Sequence, residues 1–371
     1  MPESHLDKNL LDERVSPELA EIADKVFTGV SLSPAEGLFL FEKAELSFLG
    51  MLADSVRKRN NGDTAWFIRN FHIEPTNICV NRCIFCSFSH HFSHIKWELS
   101  VDDILAKVEQ QDETVREIHI TGAVHPNRDI EYYGGLLKKI KALRPSLHIK
   151  AYSAVELDYM IRKAGMDFIT GLKYLKECGL DSVPGGGAEI FDEKLRHEIC
   201  GMKTSSADWL EIHRLAHEIG LPSNATMLYG HFETYAHRID HLERLRQLQS
   251  DTHGFNAFIP LKFHRLNNEM RFIPQVAVTE DMRMYAVSRV YLDNFPHIKA
   301  YWPALGRKMA RVSLSFGVDD MDGTINDSTR IYSLAGAEEQ SPVMTVSRMI
   351  RLIEEAGRTP VERDSLYKAI G

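Results

Sequence analysis

Trp66-Phe67-Ile68-Arg69-Asn70-Phe71-His72-Ile73-Glu74 reads as a β-strand, and it runs through Pro75-Thr76 straight into Asn77-Ile78-Cys79-Val80-Asn81-Arg82-Cys83-Ile84-Phe85-Cys86-Ser87-Phe88. A strand that ends in a cysteine-bearing loop sets the unit to look for elsewhere. Short β-like runs recur at Glu117–Thr121, Leu147–Tyr152, Asp181–Val183, Ser223–Tyr229, Phe255–Leu261, Ile298–Trp302 and Val312–Phe316. Amphipathic stretches lie between them, among them Val101–Gln111, Tyr132–Leu143, Ala207–Ile219, Ala236–Leu248 and Glu280–Phe295. Strands alternating with helices predict a parallel sheet with right-handed crossovers, and eight such units predict a closed (β/α)8 barrel of the TIM type. The cysteine loop then falls at the C-terminal face of the first strand, where barrel enzymes keep their sites.

Working outward, residues 17–60 read as two helices. Ser33-Pro34-Ala35-Glu36 is a helix start, with Pro at the first helical position and Glu in the first turn. Lys43 to Arg59 follows with apolar residues at helical spacing. The tail carries one more helix, Val343–Ala356, and then an irregular segment. The chain therefore divides into an N-terminal helical extension (1–65), the barrel (66–330) and a tail packed on it (331–371), all in one structural unit.

The 371 residues are 44% hydrophobic and 26% charged, ordinary values for a globular protein. A formal net charge of −8 and the lack of any basic stripe argue against a nucleic-acid partner. Met1 to Val15 is polar and has no apolar core of a secretory signal, and the longest apolar runs are too short to span a bilayer. The expected location is the reducing cytoplasm, with no membrane contact. Five cysteines in such a setting are poorly explained by disulfides. Cys178 and Cys200, which have no partner at motif spacing, read as buried structural thiols.

Cys79, Cys83 and Cys86 are spaced C-x3-C-x2-C. Three thiolates on one short loop can ligate three irons of a cubane and leave the fourth open. A Cys3His zinc site completed by His90, His91 or His94 satisfies the same ligand count. The surrounding long α/β chain, unlike a small zinc module, favours the [4Fe–4S] cluster.

At these residues, including the aromatic Phe85 before the last cysteine, the sequence resembles the radical S-adenosylmethionine (SAM) superfamily. Within it the chain is similar to the aminodeoxyfutalosine synthase family, which acts in the futalosine route to menaquinone. The likeness runs over nearly the whole length. It is carried by Ile149-Lys150-Ala151-Tyr152-Ser153-Ala154-Val155-Glu156, Pro184-Gly185-Gly186-Gly187-Ala188-Glu189, Asn224–His231, His297–Trp302 and Phe316–Thr324. Tyr301-Trp302 and Asp322-Gly323 separate it from the dehypoxanthine futalosine cyclase and deazaflavin-forming relatives, where a Ser-Trp pair and a Gly-Ser are expected. One departure is Thr121-Gly122-Ala123, where the superfamily often has Gly-Gly.

The resemblance implies that SAM is a co-substrate lying across the barrel top. Gly122 and Ala123 would let backbone carbonyls reach its ammonium group, although Gly122 also suits a tight turn. Ser153 and Glu156 would bind ribose hydroxyls or the methionyl amine, or simply begin a helix. Gly187 and Glu189 would lie near the adenosyl group; the glycine run lacks the Lys-Ser/Thr of a phosphate loop. The implied substrate, 3-[(1-carboxyvinyl)oxy]benzoate, carries two carboxylates, so Lys262, His264, Arg265 and His231 become candidate donors. Asp320, in an acidic group expected after the eighth strand, would organise polar contacts in the pocket or cap the next helix. Tyr301 and Trp302 would stack on the benzoate ring or fill the barrel top. His213 and His217, four apart on an outer helix, are expected at the surface. An electron donor such as flavodoxin or ferredoxin is implied as partner.

Overall fold

The computed structural model describes residues 15–93, 95–325 and 330–370. His94, the first 14 residues of the N-terminal extension, the 326–329 end of the expected barrel and Gly371 lie outside the described residues.

The strand expected from Trp66 to Glu74 is two pieces, β1 (Thr64–Ile68) and β2 (Asn70–Ile73). Arg69 separates them, because its guanidinium leaves the sheet to meet Glu362 at 3.0 Å and Thr114 at 2.9 Å. The remaining strands are β3 (Glu117–Ile120), β4 (His148–Ala151), β5 (Ser223–Tyr229), β6 (Phe255–Lys262), β7 (His297–Ile298), β8 (Asp320–Gly323) and β9 (Thr359–Glu362). All their pairings are parallel. β2 pairs with β3 and β3 with β4, with His72, His119 and Lys150 side by side in register. Ser182 and Val183 then bridge β4 to β5 as the short fourth position. β5 pairs with β6 and β6 with β7. Lys299 bridges to Asp320, and β8 returns to β1. The ring closes with eight positions, which is the (β/α)8 barrel expected from the alternation.

The eighth strand is not where the pattern put it. Val312–Phe316 alternates like a strand, yet Arg307–Ser313 is helical and buries Ala310, Ser313 and Leu314 at helical spacing. The strand is the acidic group itself, so Asp320 lies within β8 and not after it. Asp and Gly are depleted in strands. Here buried cations compensate: Lys299 meets Asp322 at 2.9 Å, and Arg363 meets Asp320 at 2.7 Å.

Among the described residues three helices, where two were expected over 17–60, precede the barrel: Pro17–Thr28, Pro34–Lys43 and Leu46–Asn61. Ser33 and Glu36 cap the second reciprocally, each accepting from the other's backbone amide. One apolar core runs from Leu19 through the barrel to Ile353 in the tail helix Val346–Glu354. After that helix the tail is regular where irregular chain was expected, because β9 lies on the outer edge of β1. Arg363 and Tyr367 then reach Asp320, and Tyr367 stacks on His297 with ring centres 3.7 Å apart. His297 and Asp320 begin their strands, so the tail seals the N-terminal end of the barrel. His213 also departs from expectation. It is fully buried, and its Nδ1 lies 2.8 Å from the Ser223 hydroxyl while His217 Nε2 lies 2.7 Å from the same oxygen. The helix is outside the barrel, but this face looks inward.

Removing Arg363 leaves the buried Asp320 carboxylate without its cation. Arg363→Met should destabilise the fold by about 3–5 kcal/mol in urea unfolding, and adding Asp320→Leu should recover most of that loss.

Candidate active site

The loop after β2 is held from several sides. Asn77 accepts from the Trp97 amide at 3.0 Å and donates to the Ile95 carbonyl at 2.7 Å. The Ile84 amide donates to Ile199 O at 3.0 Å, the Glu269 amide donates back to Ile84 O at 2.9 Å, and Ser87 donates to Leu266 O at 2.6 Å. These ties aim Cys79, Cys83 and Cys86 into one cavity of about 270 Å³ at the C-terminal mouth of the barrel. All three are free thiols.

Burial pushes the three thiols up from their ordinary range. The loop nevertheless supplies what a ligated thiolate needs. Backbone amides of Val124 and Asn81 near the Cys79 sulfur, and those of Ser89 and Phe88 near the Cys86 sulfur, favour the thiolate against that burial. Lys203 brings a cation to the same wall of the cavity. Desolvated sulfurs ringed by N–H donors and one ammonium suit an anionic iron–sulfur cluster, so the residues present fit the implied group. Of the histidines considered for zinc, His94 lies outside the described residues, and His90 and His91 are engaged with the loop backbone. His90 Nδ1 accepts from the Cys79 amide at 3.3 Å, and His91 Nε2 lies 3.0 Å from the Cys79 carbonyl.

Around the cysteines, the strand ends bring together Phe85, Gly122, Ala123, Ser153, Gly187, Glu189, Lys262 and His264, all of which line the cavity. Gly122 is small because the chain crosses itself there: an added Cβ would stand 3.1 Å from Thr76 O. Gly187 has φ +87, and a Cβ on it would meet Val155 at 2.4 Å. Glu189 pairs with Lys203 at 2.5 Å, and the Lys203 ammonium sits 5.1 Å over the Phe85 ring.

Several predicted residues stand elsewhere or are already engaged. Glu156 is behind the wall and accepts from Ser153 N at 2.8 Å, Ser153 Oγ at 2.7 Å and Thr121 Oγ1 at 3.1 Å. It thereby ties the end of β3 to that of β4. His231 does not line the cavity, since its Nε2 meets Leu228 O at 3.1 Å and its Nδ1 faces Glu233 at 3.4 Å. Asp320 is on the barrel floor with Arg363. Lys262 lines the cavity but is paired with the buried Asp281 at 2.7 Å. His264 lends Nε2 to Ala304 O at 2.7 Å. Of the aromatic pair only Tyr301 faces the cavity; Trp302 is fully buried and donates to Gly323 O at 2.8 Å.

Sequence reading missed His72 and His119, which line the cavity from β2 and β3, together with Asn224 and Lys203. It also missed Arg196. This buried guanidinium donates to the carbonyls of Gly187 at 2.8 Å and Thr204 at 2.6 Å, bracing the glycine loop from behind. Alternation along β2 and β3 was the available signal for the two histidines, since Phe71, Ile73, Ile118 and Ile120 take the opposite face.

The chain matches the model of the radical SAM superfamily over residues 73–245 and that of the CofH/MqnC C-terminal region over residues 252–370. It is 44% identical to the aminodeoxyfutalosine synthase of Thermus thermophilus, over 95% of this chain and 96% of that protein. It is 36% identical to the cyclic dehypoxanthine futalosine synthase of Streptomyces coelicolor, over 95% and 88% respectively. Among solved structures, the [FeFe]-hydrogenase maturase HydG from Carboxydothermus hydrogenoformans superposes with a TM-score of 0.76 at 15% identity, covering 97% of this chain and 82% of that one. That likeness is one of fold.

Burial holds the Glu156 carboxyl up at about 7, against hydrogen bonds that favour its ionised form. A carboxyl raised in the folded state binds more protons there than in the unfolded chain. Its contribution to stability is therefore greatest in acid and declines as pH rises toward 7. Glu156→Gln removes that titration. Relative to the natural chain, the variant should gain about 2 kcal/mol between about pH 5 and about pH 8, read by urea unfolding at both.

Proposed function

The chain belongs to the radical SAM superfamily, whose members use a [4Fe–4S] cluster and SAM, and within it to the aminodeoxyfutalosine synthase family; from there we propose that it joins the adenosyl group of SAM to 3-[(1-carboxyvinyl)oxy]benzoate. The product is 6-amino-6-deoxyfutalosine. The observation that carries the reading is the convergence of the three cysteines, the Gly122-Ala123 turn, Ser153 and the Gly185–Gly187 loop on one cavity.

Cys79, Cys83 and Cys86 would hold the cluster, which when bound supplies one electron to the sulfonium of SAM and so yields the adenosyl radical. The chain's own task is orientation and exclusion of water. Gly122 and Ala123 would present backbone to the methionyl end of SAM, and Ser153, Gly187, Glu189 and Phe85 would border its nucleoside. The radical carbon adds to the vinyl ether, the aryl group migrates, and one carboxylate leaves as bicarbonate or CO2 with return of the electron. Tyr301, Tyr332, Phe263 and Phe88 give the reacting centre a largely apolar wall. Lys262 and His264 stand at the rim as donors to the substrate, and an external carrier such as flavodoxin or ferredoxin supplies the electron. Glu156 acts through Ser153 and Thr121, as a positioning residue.

The related cyclase chemistry would instead abstract hydrogen and release free 5′-deoxyadenosine. Anaerobic turnover with adenosyl-labelled SAM, reductant and the carboxyvinyl-oxybenzoate should leave the label in a larger product by mass spectrometry. Label found only in free deoxyadenosine would reject the synthase reading. Cys83→Ala should lose both the iron–sulfur absorption of air-free protein and all turnover; turnover without the cluster is incompatible with the proposal.

A further inference from the structure

Below the mouth, the cavity continues into the barrel between β2, β3 and β5. Two polar side chains there have no partner. Asn224, at the start of β5, is 4% exposed, lines the cavity, and its carboxamide makes no hydrogen bond to any described residue. Thr226, the next inward residue on that strand, is by contrast satisfied by donating to Gly185 O at 2.6 Å. On β3, His119 Nε2 is buried without a partner. His72 has only the Asn70 amide at 3.5 Å, and its ring packs edge-on against His119 with centres 4.5 Å apart. A barrel interior normally pairs such groups, and leaving them orphaned costs stability unless something else satisfies them.

The layer beneath does not supply partners. Lys150 is paired with Glu117 at 2.8 Å and Lys299 with Asp322 at 2.9 Å. Burial holds both His72 and His119 below the usual imidazole range, so the floor offers neutral N–H groups, whose unmet hydrogen-bonding capacity favours an acceptor such as a carboxylate. A flat aromatic wall adjoins it, since Tyr301 stacks over His72 with ring centres 6.1 Å apart and planes 14° apart. The rim cation Lys262 is already neutralised by Asp281 and is a weaker anchor for a second negative charge.

We infer that the floor formed by His119, Asn224 and His72 is the subsite for the ring carboxylate of an aryl carboxylic acid, with the His119 imidazole and the Asn224 amide donating to it and Tyr301 against the ring. This rests on the substrate reading above and adds an orientation to it. The retained carboxylate points down into the barrel, and the vinyl ether points up toward the mouth, where the SAM-facing residues are.

The test is calorimetric binding to enzyme carrying its cluster and SAM, without reductant, so that no turnover is needed. The probes are two unreactive acids: 3-(1-carboxyethoxy)benzoate, which has the ring carboxylate, and 2-phenoxypropanoate, which lacks it. The natural chain should bind the diacid at least about tenfold more tightly. His119→Phe and Asn224→Leu should each remove most of that preference by weakening the diacid alone. Asn224→Asp, nearly isosteric and so a safeguard if a larger change perturbs folding, should reverse the preference by facing the carboxylate with a like charge. Variants that weaken both acids equally, or neither, overturn the floor assignment and leave the substrate reading standing. If the natural chain binds neither acid, both fall.

Discussion

Every strand pairing in the ring is parallel, and that constraint governs the rest of the molecule. Parallel closure places all strand C-termini on one mouth and all N-termini on the other, so the cysteine loop, the Gly122 turn, Ser153 and the glycine loop meet without any long excursion of the chain. Closure is also thinly supported. The fourth position consists of two bridging residues and β7 has only two, so much of the ring's lower half depends on buried ion pairs in place of long ladders. Lys150–Glu117, Lys299–Asp322 and Arg363–Asp320 occupy ground that aliphatic side chains fill in many barrels.

That substitution explains what could be read from the sequence and what could not. Strands built from β-branched and aromatic residues, such as Glu117–Ile120 and Phe255–Lys262, announced themselves by alternation. The cysteine spacing and the Ser33–Glu36 helix start are local chemistry and were equally legible. The eighth strand was not, because Asp320-Met321-Asp322-Gly323 has the composition of a loop and becomes a strand only through cations contributed by β7 and the tail. Val312–Phe316 offered a false alternative for the same reason: over five residues, alternation and helical burial look alike. The break at Arg69 depends on Glu362, nearly three hundred residues away, and no local pattern carries it.

The site shows the same division. The three cysteines, Gly122, Ala123, Ser153, Gly187 and Glu189 line the cavity, whereas Glu156, in the same motif as Ser153, sits behind it. Those singled out for being charged fared differently, since Lys262 and His231 had found carboxylates within the protein, and Asp320 had found a guanidinium. A charge in a sequence is visible long before its partner is. The informative polar groups turned out to be quiet ones, an asparagine and two histidines on strand faces; alternation could place the histidines on the inner face, but that they lack partners emerges only once their neighbours are seen to be absent or occupied.

The docking of β9 on β1 has a bearing on how the chain is made. The first strand is made long before β9, and its outer edge stays bare until residues 359–362 arrive. Asp320 likewise waits for Arg363. The barrel is thus latched by residues 359–367, and a ribosome stalled before them would hold an unfinished, edge-exposed sheet.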